Sequence, residues 1–127
     1  MGRKIVIYGG TGGVGFATGK LLRAQGDTLH LVGRDLGKLE KAARELDASF
    51  TVGNVNETEL FARVAKDAGE VIDGLVYAVG TINLRGLQRL GEGDFLNDFR
   101  VNAMGAAMAV QASVGALKKS AGVASVV

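Results

Sequence analysis

The 127-residue chain carries no cysteine and a single histidine, and its formal charge is close to balanced at +2. These features exclude disulfides, thiolate chemistry and cysteine-type zinc sites, and they leave no basic excess for nucleic-acid binding. With 47% hydrophobic and 22% charged residues, the composition is that of a globular domain with one core, and no apolar run reaches the length of a membrane span.

The N-terminal MGRK leads straight into KIVIY without a signal-peptide layout, and Val6 stands where a myristoylation motif needs Ser or Thr. A cytoplasmic protein is expected. Lys4–Tyr8 (KIVIY) is β-branched and aromatic, which predicts a strand buried on both faces. Helical spacing follows over Val14–Ala24. Thr28–Val32 (TLHLV) predicts a second strand in which His30 is a structural residue rather than a catalytic one. A helix over Leu36–Leu46 puts Leu36, Leu39, Ala43 and Leu46 on one face and Lys38, Glu40, Lys41 and Glu45 on the other. Ser49–Val52 is a third strand, and a helix over Glu57–Ala68 turns Leu60, Val64 and Ala68 inward. Gly74–Val79 is a fourth strand, a long helical segment covers 94–119, and Val123–Val127 is a fifth strand.

Strands separated by segments long enough to cross the sheet imply parallel pairing with right-handed crossovers. The expected fold is α/β, a Rossmann-type doubly wound parallel sheet of about five strands in the order 3-2-1-4-5. Residues 1–127 read as a single domain, without linker or repeat.

The first strand runs into YGGTGGVGFATG. Its glycines satisfy three spacings at once: G-x-x-x-G-x-G (Gly9, Gly13, Gly15), G-x-x-G-x-x-G (Gly9, Gly12, Gly15) and G-x-G-x-x-G (Gly10, Gly12, Gly15). The spacing alone therefore distinguishes little, and the context of strand, glycine turn, helix and second strand carries the argument. Helix N-terminal amides hold a phosphate there, and glycines let the backbone approach it. Dinucleotide binding by Gly9, Thr11, Gly12, Gly13, Val14 and Gly15 is expected.

At the end of the second strand the run is HLVGRD. An acid at this point accepts the ribose 2′-hydroxyl of NAD, whereas an arginine pairs with the extra phosphate of NADP. Gly33 occupies the acid's place and Arg34 follows, with Lys38 one turn on. NADP is favoured over NAD. Asp35, directly after the arginine, argues the other way if it turns inward.

These residues resemble the classical short-chain dehydrogenases/reductases, whose cofactor loop reads T-G-x-x-x-G-x-G. Gly9, Gly13, Val14 and Gly15 fall on that motif, with Tyr8 in place of its threonine, and GRD matches the NADP-preferring branch. After the third strand the family places Asp-Val; here Asn54 and Val55 stand there, and Asn54 either contacts adenine or forms an Asx turn opening the third helix. The family's N-N-A-G becomes Tyr77, Ala78, Val79 and Gly80, residues that the resemblance places along the cofactor. DFRVNAMGAAMAVQA is similar to the family's fifth helical segment. Asn102 falls on its catalytic-site asparagine, which holds a water of the proton relay through a local break in helix bonding.

The resemblance implies an NADP(H)-dependent oxidoreductase acting on a small-molecule ketone or secondary alcohol. The family's catalytic serine and Y-x-x-x-K motif have no counterpart, because neither Tyr8 nor Tyr77 has a lysine four residues on. The chain is therefore expected to be the cofactor-binding part of such an enzyme, apparently cut after the fifth strand. Alternatives are a non-catalytic dinucleotide-binding or sensor module and an interaction fragment. The resemblance also implies a homo-oligomer formed through 94–119, whose stripe of Met104, Ala107, Met108, Ala112 and Leu117 is expected to be partly bare. Nucleic-acid, membrane and metal partners are not expected.

Overall fold

The computed structural model describes residues 2–127. Strands β1 (Lys4–Tyr8), β2 (Thr28–Gly33), β3 (Ser49–Val52), β4 (Gly74–Tyr77) and β5 (Ser125–Val126) pair in parallel in the order β3-β2-β1-β4-β5. Between them run α1 (Gly13–Ala24), α2 (Leu36–Leu46), α3 (Leu60–Ala68), α4 (Glu92–Phe99) and α5 (Gly105–Lys118), and a π turn over Arg100–Met104 joins the last two.

Strand β1 is almost continuously apolar because both of its faces are covered. Successive side chains alternate, so Ile5 and Ile7 pack with Leu29, Leu31, Leu39 and Leu46, whereas Val6 and Tyr8 pack with Val32, Leu60, Phe61 and Val64. The two cores lie on opposite faces of one sheet. Tyr8 stacks on Phe61 at 5.9 Å between ring centres and leans on Tyr77 at 5.8 Å.

The structure departs from the sequence reading at several places. Leu36, expected in the α2 stripe, is exposed at the helix start, and Ala42 takes its place in the core. Helix α3 begins at Leu60 rather than Glu57, because Asn54 and Glu57 build a turn first. Strand β4 stops at Tyr77, two residues early, where the chain leaves the sheet. The segment 94–119 is not one helix but two, joined by the π turn. Its stripe is partly bare: Met108, Ala112 and Leu117 pack half-buried against the core and Ala107 is exposed, while Gly105, Ala109 and Ser113 form the buried line.

His30 is buried in β2 and fully partnered. Thr51 gives its only hydroxyl proton to Asp67 Oδ2 at 2.7 Å, so His30 Nε2 donates to Thr51 Oγ1, also at 2.7 Å. In the neutral ring Nδ1 then accepts from the Ser49 hydroxyl at 2.6 Å. Burial, opposed in part by Asp67, pushes this imidazole down from 6.5 to about 4. An unfolded chain takes up the proton first as pH falls, so stability is full above pH 6.5 and decreases between there and about 4. The loss expected across that window is about 3 kcal/mol. Urea unfolding of the wild type and of His30→Gln across this pH range checks it: the variant lacks this part of the slope.

A second polar staple closes the other half of the sheet. Asp73 Oδ2 accepts the Lys4 amide at 2.8 Å and Oδ1 accepts the Ser120 hydroxyl at 2.5 Å, tying β1, β4 and the end of α5 together. These bonds, that from Ser120 first, hold its carboxyl below the usual range.

Candidate functional site

The order β3-β2-β1-β4-β5 sends the crossovers after β1 and after β3 in opposite directions, so a crevice opens at the carboxyl ends of β1 and β4. There the chain turns at Gly9, whose φ of +83° is left-handed. The Gly9 and Gly10 amides both bond the Val32 carbonyl, at 2.9 and 3.2 Å, which ties the loop to the end of β2. A Cβ on Gly9 would overlap the Ala78 carbonyl, and one on Gly15 would overlap the Gly9 carbonyl. Glycine is required at both positions by close backbone contact.

Helix α1 begins directly above this turn. Its N-cap, Gly12, has no side chain to accept first-turn amides, and no acidic residue lies in that turn. The amides of Gly13, Val14 and Gly15 are the first of the helix and lack intrahelical partners. A Cβ on Gly13 would meet nothing within 4 Å. The result is an open set of donors at the positive end of a helix, suited to a phosphate.

Beside it lies a cavity of about 240 Å³. The first loop contributes Tyr8, Gly9, Thr11 and Gly12, and the end of β2 contributes Gly33 and Arg34. Gly53 and Val55 enter after β3, and Ala78, Val79 and Gly80 after β4. Sequence-distant candidates are thus gathered around one space. Lys38 sits outside it, in a neighbouring concavity shared with Thr11 and Lys41. Asn54 does not line the cavity either. Its Oδ1 accepts the Asn56 amide at 2.9 Å while Glu57 Oε1 accepts the Asn54 amide at 2.9 Å, so its side chain makes the Asx turn.

The charges around β2 have separate tasks. Asp35 caps α2, its Oδ1 accepting the Lys38 amide at 3.1 Å. Arg34 is exposed and lines the cavity, and among the described residues it forms no ion pair. The acid that could have opposed an anion is committed to the helix, and the guanidinium is left available.

Asn102 does not line the cavity; it sits within the π turn, with its side-chain oxygen beside Gly80. Its Oδ1 accepts the Thr81 amide at 2.8 Å and its Nδ2 donates to the Thr81 carbonyl at 2.9 Å. The carboxamide thus pairs with both main-chain groups of Thr81 and fixes the chain just after Gly80. Thr81 is held again by its hydroxyl, which donates to Asp98 Oδ1 at 2.5 Å, and Arg85 pairs with Asp94 at 2.7 Å. Asp94 and Asp98 therefore strap the loop after Gly80 to α4.

Neither tyrosine is placed as a proton donor. The Tyr8 hydroxyl is buried without a partner, and burial, then Tyr77, pushes its phenol well above the ordinary value. Tyr77 donates to the Val101 carbonyl at 2.6 Å. Among the described residues no three His, Cys, Asp or Glu side chains gather as a metal site, and no helix is long and apolar enough to cross a membrane.

A parallel sheet of this order, with a glycine-lined cavity at its switch point and an open helix N-terminus beside it, defines a dinucleotide-binding fold. The sequence profile of the short chain dehydrogenases matches residues 3–127, and the chain belongs to that family of oxidoreductases. It is 34% identical over 83 residues to the short-chain dehydrogenase/reductase VdtF of Byssochlamys spectabilis, a match covering 65% of this chain and 26% of that protein. An uncharacterized oxidoreductase in the mprA 5′ region of Streptomyces coelicolor is 36% identical over 83 residues, covering 65% and 32%. Among solved structures, L-sorbose reductase from Gluconobacter frateurii complexed with NADPH and L-sorbose superposes with a TM-score of 0.88 at 21% identity, covering 92% of this chain and 48% of that one. A short-chain dehydrogenase from Streptomyces avermitilis gives 0.89 at 21% identity, covering 99% and 48%. The chain spans about half the length of these structures and about a third or less of the curated relatives.

Proposed function

We propose that this chain is the cofactor-binding part of an NADP(H)-dependent oxidoreductase that reduces a ketone or oxidises a secondary alcohol. The observation that carries the cofactor choice is Arg34, open on the cavity and unpaired among the described residues, beside an Asp35 already used as a helix cap. Arg34 would hold the 2′-phosphate, with Lys38 on the outer rim. Gly53 and Val55 would flank the adenine, with Asn54 acting through the turn it builds. The amides of Gly13, Val14 and Gly15 would hold the pyrophosphate, with Gly9, Thr11 and Gly12 beneath, and Ala78, Val79 and Gly80 would border the nicotinamide ribose.

When bound, the cofactor supplies or accepts the hydride. Asn102 fixes the backbone at Thr81 and would stand beside the proton relay. The proton donor is assigned to residues outside this segment. Self-association would use 94–119, where α4 leaves Phe95, Leu96 and Phe99 exposed.

Fluorescence titration with NADPH and NADH tests this reading. NADPH is expected to bind at least about tenfold more tightly. Equal affinities, or a preference for NADH, would overturn the assignment of Arg34.

A further inference from the structure

The segment around Asn102 breaks a rule of helical bonding, and the break has an identifiable cause. In an α-helix the Gly105 amide would bond the carbonyl of Val101, four residues back. Here it bonds Arg100 instead, one residue further back, as a π turn requires. That leaves the Val101 carbonyl to another donor, the Tyr77 hydroxyl at 2.6 Å. A Cβ on Gly105 would overlap this hydroxyl, so glycine makes the notch into which the phenol fits.

We propose that Tyr77 is a positioning residue for Asn102: its phenol, delivered from the end of β4, holds the Val101 carbonyl and so keeps open the π turn that aims the Asn102 carboxamide at Thr81. The importance of Asn102 to the reaction rests on the function proposed above; the linkage from Tyr77 to Asn102 does not. Restoring the α-helical bond would change the register by one residue, and each residue of register turns a side chain by about 100° around the helix. Asn102 would then leave both Thr81 groups.

Two further features fit this role. Tyr77 leans on Tyr8, the last residue of β1, at 5.8 Å, so the ring is anchored to the strand that ends in the glycine turn. Tyr8 and Tyr77 are also positions where the chain departs from the motifs it otherwise resembles, and the structure places these two departures in contact. Burial pushes the Tyr77 phenol up to about 12, so it remains a donor throughout the physiological range.

The test is Tyr77→Phe in the full chain, read by NMR at Thr81 and at the Asn102 side-chain amide. Amide exchange at Thr81 is expected to rise at least about tenfold and the Asn102 carboxamide signals to move, while amides of β1 and β2 keep their protection. Gly105→Ala, which displaces the phenol by a different route, is expected to give the same signature, and the double variant no further change. Unchanged Thr81 and Asn102 signals in Tyr77→Phe would overturn the proposal, as would a uniform loss of protection across the sheet. NADPH titration of the same samples separates the two readings. NADPH binding by the wild type with an unmoved Asn102 in Tyr77→Phe removes the linkage alone, and a moved Asn102 in Tyr77→Phe with a wild-type chain that does not bind NADPH removes the functional reading alone.

Discussion

Replacing Gly15 with alanine is expected to abolish dinucleotide binding and to destabilise the chain by about 2–4 kcal/mol. The added methyl would overlap the Gly9 carbonyl and crowd its carbon at 2.8 Å, and both neighbours are backbone. Gly9 cannot retreat, because its amide is bonded to Val32 and its other side abuts Ala78. Helix α1 must therefore lift from the turn, carrying its open amides away from the cavity. Gly13→Ala separates the two effects, since a methyl there meets nothing within 4 Å. It is expected to fold with unchanged or slightly higher stability and to weaken binding by occupying the open cradle. Urea unfolding together with NADPH titration of both variants checks the pair.

The second large effect is expected at Arg34. Replacing it with glutamine should weaken NADPH binding by about 10–100-fold, the equivalent of one charged, bidentate phosphate contact, and leave NADH unchanged. Because Arg34 is exposed, the difference between wild type and variant should shrink as salt is raised. A loss of equal size for both cofactors would mean that the arginine supports the loop rather than reading the phosphate. Asp35→Ala should behave differently: it removes the α2 cap, costs about 1 kcal/mol of stability, and leaves the cofactor preference in place.

Much of this fold is legible locally. The boundaries of β1, α2 and β3 follow from short apolar runs and from one amphipathic stripe closed by an Asp cap. The glycine turn is equally legible, because strand, turn and helix follow one another directly. Long-range contacts are less so. Strand β4 ends early because Ala78 to Gly80 must leave the sheet to line the cavity, and nothing in GLVYAV marks that exit. The π turn depends on a phenol 24 residues away from the carbonyl it bonds, so helical periodicity over 94–119 could not reveal its cause. Leu36 satisfies the stripe by its spacing yet stands exposed at the helix start beyond the sheet. Within the site, Arg34 was legible from its position after Gly33. The sequence leaves Asn54 between an adenine contact and an Asx turn, and the bonds to Asn56 and Glu57 decide for the turn, whereas Thr81 and Asp98 carry no sequence signal beyond lying in the loop and in the following helix.

The most direct measurement is an NMR titration of the chain with NADPH, following backbone amides. Saturable shifts are predicted at residues 9–15, at Gly33 and Arg34, at 53–55 and at 78–80, the four segments that meet around the cavity. A folded chain with no saturable shift, or with shifts confined to α4 and the exposed loop before it, would contradict the account.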